Sequence, residues 1–189
     1  MKQIIISVRS RFGFTLVELM VVISVIGILT SIVYANFGSS RAIARDDIRK
    51  TDLKNLQVAI QLYKAQNGRY PSACDDAITF KGNVHGSFKC SVAGDPFIKG
   101  LVPDFIAALP ADPNASTFGA ASNNGYIYKV NVSGTDYKLL AYNTVEVLKI
   151  INSTDDFARC PTWTSGNTWC DGPGEEATYA VYSAGAVNW

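Results

Sequence analysis

The chain has 189 residues, enough for one ordinary globular domain and an additional segment, and its formal charge of +1 argues against a nucleic-acid partner. A single histidine and four widely spaced cysteines do not form a zinc or redox motif, and the nucleotide-binding, serine-hydrolase and metalloprotease motifs are absent. These observations predict a protein that is not an enzyme and that needs no cofactor.

The N-terminal part contains a long apolar run. Residues 14–35 carry one charged side chain, Glu18, and at about 1.5 Å per helical residue the run matches the roughly 30 Å hydrocarbon layer of a bilayer. Lys2, Arg9 and Arg11 precede the run and should stay in the cytoplasm. The pattern predicts a single-pass protein of the inner (cytoplasmic) membrane with an extracytoplasmic head.

Helical character continues beyond the apolar run. Leu53, Leu56, Ile60 and Tyr63 recur at intervals of three or four among polar residues, which is typical of an amphipathic helix, and Gly68 supplies a stop. We therefore predict one helix over residues 14–66. The predicted organisation is a leader at 1–13, a transmembrane half-helix at 14–37, an amphipathic half-helix at 38–67 and a globular head at 68–189.

The head is predicted to contain a small antiparallel sheet. Residues 126–132 and 137–142 are apolar and aromatic, and Ser133-Gly134-Thr135 between them indicates a hairpin. Residues 144–151 and 178–184 are further strand candidates, and residues 104–110 fit a short helix that follows Pro103. The predicted fold class is α+β, with the long helix packed through its amphipathic face against the sheet.

The cysteines indicate an oxidising compartment. An even number of cysteines in a chain with an export-like start favours two disulfides over free thiols. Three connectivities are possible, and we favour Cys74 with Cys90 and Cys160 with Cys170, because both pairs close short loops.

Glu18 requires a physical explanation. A carboxylate in mid-membrane costs on the order of 3 kcal/mol, so such a group usually has a partner. Cleavage after Gly13 would create an α-amine at Phe14, one helical turn away. The amine could neutralise Glu18 within the chain, or in a neighbouring chain, where the pair would also set the register of two apolar helices.

The segment GFTLVE at residues 13–18, followed by the apolar run, resembles the processing signal of type IV pilins and of the pseudopilins of type II secretion. Residues 52–71, 101–113 and 179–185 are similar to the major-pseudopilin branch. The resemblance implies cleavage by prepilin peptidase after Gly13, N-methylation of Phe14, and pairing of Glu18 with the amine of a neighbouring subunit.

Pseudopilins of this kind often bind calcium near the C-terminal loop. This chain ends in AVNW and lacks the expected aspartate there. The remaining calcium candidates are Asp155, Asp156, Asp171 and Glu175, for which a solvated acidic face is the alternative reading.

The resemblance implies a structural subunit of a filament, either a type II secretion pseudopilus or a type IV pilus. Its expected partners are copies of itself, other pilins or pseudopilins, prepilin peptidase and an inner-membrane assembly platform. Before assembly it would lie in the membrane, and afterwards in an extracytoplasmic or surface filament.

The alternative function is a membrane-anchored extracytoplasmic binding module that does not polymerise, with Trp163 and Trp169 as a contact patch. A conventional signal peptide cleaved after Ala35 is the alternative reading of the N-terminus.

Overall fold

The structure is a computed structural model that describes residues 13–147, 155–161, 177–187 and 189. Within this part, the side chains of residues 32–36 are not described. The chain divides into two compact units, the first ending at Ser40 and the second beginning at Arg41.

The long predicted helix is confirmed. Helix α1 comprises Leu16–Asn67 and contributes residues to both units. It begins two residues later than predicted, because Thr15 caps it. It ends at the predicted stop, where Gly68 adopts a φ of 73° and its N–H donates to the Lys64 oxygen at 2.8 Å.

The first unit exposes apolar side chains on every side of its helix. All residues from 13 to 31 are exposed. Over the described residues, no helix is both long enough and apolar enough to cross a membrane. The predicted span at residues 14–37 includes the five positions whose side chains lie outside the described set.

Over the described residues, the second unit contains a four-stranded antiparallel sheet, which confirms the α+β class. The strands pair in the order β1, β2, β3, β4, so each strand neighbours the next along the chain. The predicted hairpin is the pair β2 and β3, and the strand predicted at 178–184 is β4. The strands are β1 (Lys81–Gly82), β2 (Gly125–Val130), β3 (Tyr137–Tyr142) and β4 (Tyr179–Tyr182).

The core lies between the sheet and the second half of α1, as the helical periodicity predicts. Leu53, Leu56 and Ile60 are fully buried against the inner face of the sheet, and Leu139 of β3 lies in the same cluster. Burying a large aliphatic side chain contributes about 1.5–3 kcal/mol, so this contact is the main attachment of the helix to the head. A second, smaller cluster lies on the outer face of the sheet and comprises Phe80, Val84, Ile127, Leu140 and Ala180.

The helix predicted at residues 104–110 is wrong. The segment forms turns, in which the N–H groups of Phe105 and Ile106 both donate to the Leu101 oxygen. Pro103 and Pro110 confine the segment to about one and a half turns, too short to repay helix nucleation, and Pro110 disfavours the helical conformation at the residue before it.

The strand predicted at residues 144–151 is also wrong over its described part. The N–H groups of Thr144 and Val145 donate to the Ala177 oxygen, and those of Glu146 and Val147 donate to a helix carboxylate instead of a neighbouring strand. Residues 148–151 lie outside the described residues, as do the leader residues 1–12 and the tryptophans at 163 and 169.

Candidate assembly site

The start of α1 is closed by a reciprocal pair of capping contacts. The Thr15 N–H and hydroxyl donate to the Glu18 carboxylate at 3.1 and 3.0 Å, and the Glu18 N–H donates to the Thr15 hydroxyl oxygen at 3.2 Å. This arrangement is a capping box, which satisfies backbone donors that otherwise lack helical partners. In the single chain, Glu18 therefore already has hydrogen-bond partners of its own.

The capping box leaves the predicted processing position outside the helix. Phe14 is 86% exposed, and a side chain added at Gly13 would meet no atom within 4 Å. The bond between them lies in an accessible, non-helical stretch, which is the conformation a peptidase can bind. Sequence reasoning missed this cap, although Thr and Glu three residues apart before an apolar run are its usual signal.

The head contains a buried ionic cluster that sequence reasoning did not predict. Arg49 of α1 is fully buried, and its guanidinium binds Asp112 through two hydrogen bonds of 2.8 and 2.9 Å. The same group donates to Asp46 at 2.7 Å and to Glu146 at 2.9 Å. One guanidinium thus joins the helix to two distant parts of the head.

Further hydrogen bonds complete this ionic cluster. Arg45 makes a bidentate pair with Glu146, and Asn114 donates to the same carboxylate at 2.9 Å. The Asp46 carboxylate accepts the N–H groups of Glu146 and Val147 at 3.1 and 2.9 Å. The buried charges are therefore paired and hydrogen-bonded, the condition under which burial of charge is tolerated.

The ionic cluster shifts the protonation equilibria of its members. The hydrogen bond from Arg45 lowers the pKa of Glu146 to about 2, with a smaller contribution from Arg49. Burial opposes the charge of Arg49, but the carboxylates of Asp112, Glu146 and Asp46 outweigh burial and raise its pKa. Arg49 pairs with all three carboxylates of the cluster, and Arg45 pairs in addition with Glu146.

Comparison with known proteins places the helix start in a recognised motif. Residues 8–34 match the prokaryotic N-terminal methylation motif. The chain is 36% identical over 120 residues to the type IV major pilin protein PilA of Myxococcus xanthus, covering 60% of this chain and 54% of the relative. It is 28% identical over 164 residues to the type II secretion system core protein G of Klebsiella pneumoniae, covering 82% and 95%. The chain is therefore similar to type IV pilins and to type II secretion pseudopilins.

Coverage of this pilin-like chain differs among its relatives. The core protein G of Aeromonas hydrophila is 41% identical over 64 residues, which is 34% of this chain and 45% of the relative. The chain thus spans about half the length of the Myxococcus and Aeromonas proteins. No solved structure matches the chain. The methylation motif contains Gly13, Phe14 and Glu18, the three positions predicted for processing and assembly.

One of the two predicted disulfides is present in the described residues. Cys74 and Cys90 are bonded, with Cα atoms 5.8 Å apart, and both side chains are buried. Cys160 is also disulfide-bonded, and Cys170, its predicted partner, lies outside the described residues. The first bridge ties the loop after α1 to the segment that follows β1.

The acidic calcium candidates remain a prediction. Asp155 and Asp156 are described, and the Asp155 carboxylate accepts the N–H of Phe157 at 2.8 Å. Asp171 and Glu175 lie outside the described residues. Over the residues that the structure describes, no group of three or more metal-binding side chains lies together.

Proposed function

We propose that this pilin-like chain is a structural subunit of a filament and is assembled through its N-terminal helix. The carrying observation is the coincidence of the methylation motif at residues 8–34 with a capped helix start that leaves Gly13 and Phe14 accessible. A helix that is apolar on all sides requires lipid or other helices to cover it. A membrane before assembly and neighbouring subunits afterwards would provide that cover in turn.

In this proposal the helix start is first processed and then used for assembly. Prepilin peptidase cuts after Gly13, the new N-terminus at Phe14 is methylated, and its amine carries a positive charge. Glu18 exchanges the Thr15 donors for the amine of a neighbouring copy. A charged donor makes a stronger hydrogen bond than a hydroxyl or a backbone amide, which favours the exchange.

The proposed location is the inner membrane, with one span and an extracytoplasmic head, followed by an extracytoplasmic filament. The basic residues before the apolar run support this orientation, and the disulfide between Cys74 and Cys90 supports an oxidising compartment for the head. The proposed partners are copies of this chain, other pilins or pseudopilins, prepilin peptidase and an assembly platform in the inner membrane.

Intact mass spectrometry and filament yield test processing and assembly separately. We expect the wild-type chain to lose residues 1–13 and gain one methyl group, and Gly13→Leu to retain the leader. Glu18→Gln should be processed and inserted normally but should form few filaments. Asp47→Asn is the matched control, because it removes an exposed carboxylate from the same helix. Normal filaments made from chains that keep residues 1–13 would refute the proposal.

Between the two filament types, the comparisons favour the pseudopilus. Similarity to the Klebsiella core protein G extends over 82% of this chain, against 60% for the Myxococcus pilin. We expect the chain to restore secretion partially in a strain that lacks core protein G, with Glu18→Gln as the inactive control. Long surface fibres with no restored secretion would instead indicate a pilus. A strictly monomeric species in membranes, without crosslinked ladders, would support the non-polymerising binding module.

A further inference from the structure

Two lysines lie side by side on the outer face of the sheet. Lys129 of β2 is the register partner of Lys138 of β3, and the next pair on that face is Ile127 with Leu140. Lys138 is fully buried among the apolar residues of this face, which is unusual for a charged side chain. Directly opposed like charges destabilise a strand pair, so some other group must offset this repulsion.

Lys138 is satisfied entirely by main-chain oxygens. Its ammonium donates to the oxygen of Arg159 at 2.6 Å and to those of Val187 and Trp189 at 2.9 Å each. The ring of Tyr182 lies 4.9 Å from the same nitrogen. An ammonium has three protons, so each proton has an acceptor.

Lys129 contacts the same segment in a different way. Its ammonium lies 4.6 Å from the ring centre of Trp189 and 5.6 Å from that of Phe80. Trp189 therefore offers its ring to one lysine and its main-chain oxygen to the other. Cation–π contacts at partly buried sites are stabilising, which helps to offset the charge repulsion.

The residues just before this segment are held independently. The Asp136 carboxylate accepts the Ser183 hydroxyl at 2.8 Å and the Gly185 N–H at 3.1 Å. This contact positions the short 3-10 turn at Ala184–Ala186 without either lysine. Beyond this turn, the Trp189 N–H donates to the Ala186 oxygen at 3.2 Å, and the lysines supply the side-chain contacts to Val187 and Trp189.

We propose that Lys129 and Lys138 form a docking site for Val187 and Trp189, in which the Lys138 ammonium serves as the structural cation that joins their main-chain oxygens to that of Arg159. This site does not depend on the proposed filament function. The three oxygens together bind a primary alkylammonium with three N–H donors, which Lys138 supplies. Burial, and then the charges of Arg159 and Lys129, lower the pKa of Lys138 to about 7, so the ammonium form with all its donors dominates below that pH.

Acrylamide quenching of Trp189 fluorescence tests the docking site in the full chain. Trp163→Phe and Trp169→Phe remove the other two tryptophans of the sequence. In this background, at pH 6, we expect Lys138→Met to raise the quenching constant about threefold or more, because hydrogen bonds to a charged donor are lost. Lys81→Met, which removes a lysine outside the site, should leave quenching unchanged. Equal quenching of Trp189 with and without Lys138 would overturn the proposal.

Chemical rescue distinguishes a cation site from simple side-chain packing. In Lys138→Ala, we expect n-propylammonium to restore the protection of Trp189, whereas tetramethylammonium, which has no N–H donor, should not. If Lys138→Ala proves to be unfolded, recovery of its circular dichroism with n-propylammonium alone supports the proposal. Equal recovery with both cations, or recovery with neither, overturns it.

The quenching assay also separates the two lysines. Lys129→Met should raise the quenching constant of Trp189 less than Lys138→Met does. A larger increase for Lys129→Met would assign the docking to the ring contact instead.

Discussion

Replacing Asp112 with alanine tests whether the buried ionic cluster attaches the head to α1. Arg49 is fully buried and would lose hydrogen bonds of 2.8 and 2.9 Å, while its contacts with Asp46 and Glu146 remain. Breaking a buried pair by removing one partner costs about 3–5 kcal/mol. Because two carboxylates still compensate the guanidinium, we expect a loss near the lower end, about 3 kcal/mol. Domains have a total stability of only about 5–15 kcal/mol, so such a loss is easily measured.

The assay is urea unfolding of the full chain followed by circular dichroism, with the midpoint and the denaturant slope fitted separately. The matched control is Arg45→Met, which removes a partly exposed arginine from the same cluster and should cost about 1 kcal/mol or less. The triple variant Arg49→Met, Asp112→Leu and Asp46→Asn should recover most of the loss, because it removes the buried guanidinium together with the two buried carboxylates that it pairs with. A loss for Asp112→Ala no larger than that for Arg45→Met would refute the assignment of Arg49 as the central charge.

Three further predictions concern pH and the helix cap. Glu146 has a pKa lowered to about 2, so its contribution to stability is present above its ordinary value of 4.5 and is lost as the pH falls from 4.5 towards 2. We expect this loss to be on the order of 2 kcal/mol after allowance for solvent screening, and Glu146→Gln should flatten the acid unfolding curve. Lys138 has the same sign of dependence in a higher pH range: its lowered pKa means that the unfolded chain binds more protons between pH 7 and 10.5, so the stability of wild type relative to Lys138→Met should rise by up to about 1.4 kcal/mol per pH unit. A flat difference between the two urea titrations would contradict burial as the cause. Thr15→Ala should weaken the start of α1 by about 1 kcal/mol, visible as faster amide hydrogen exchange at Glu18 and Leu19, whereas Thr15→Ser should exchange as wild type does.

Local sequence signals predicted the elements that depend on local physics. The periodicity of Leu53, Leu56 and Ile60 predicted the buried face of α1, and Gly68 predicted its end, because spacing and backbone preference act within a few residues. The cap formed by Thr15 and Glu18 was equally visible in the sequence and was overlooked.

The two wrong predictions fell where distant groups decide the backbone conformation. Residues 144–147 have the β-branched composition of a strand, but two of their N–H groups bind Asp46, about 100 positions earlier in the chain. Residues 104–110 have the composition of a helix, but the flanking prolines and the contacts of Phe105 and Ile106 with the core favour turns.

The sequence by itself determined the motif at the helix start, the helix and the hairpin, and it favoured the pairing of Cys74 with Cys90 among three connectivities. Each of these rests on residues close together in the chain, for which spacing is a direct measure of contact. Only the tertiary structure decided that Arg49 binds Asp112 and Glu146, and that Trp189 lies against Lys129 and Lys138. The physical reason is that charged and polar side chains find distant partners only after the hydrophobic packing of the sheet on α1 has fixed the paths of the connecting loops.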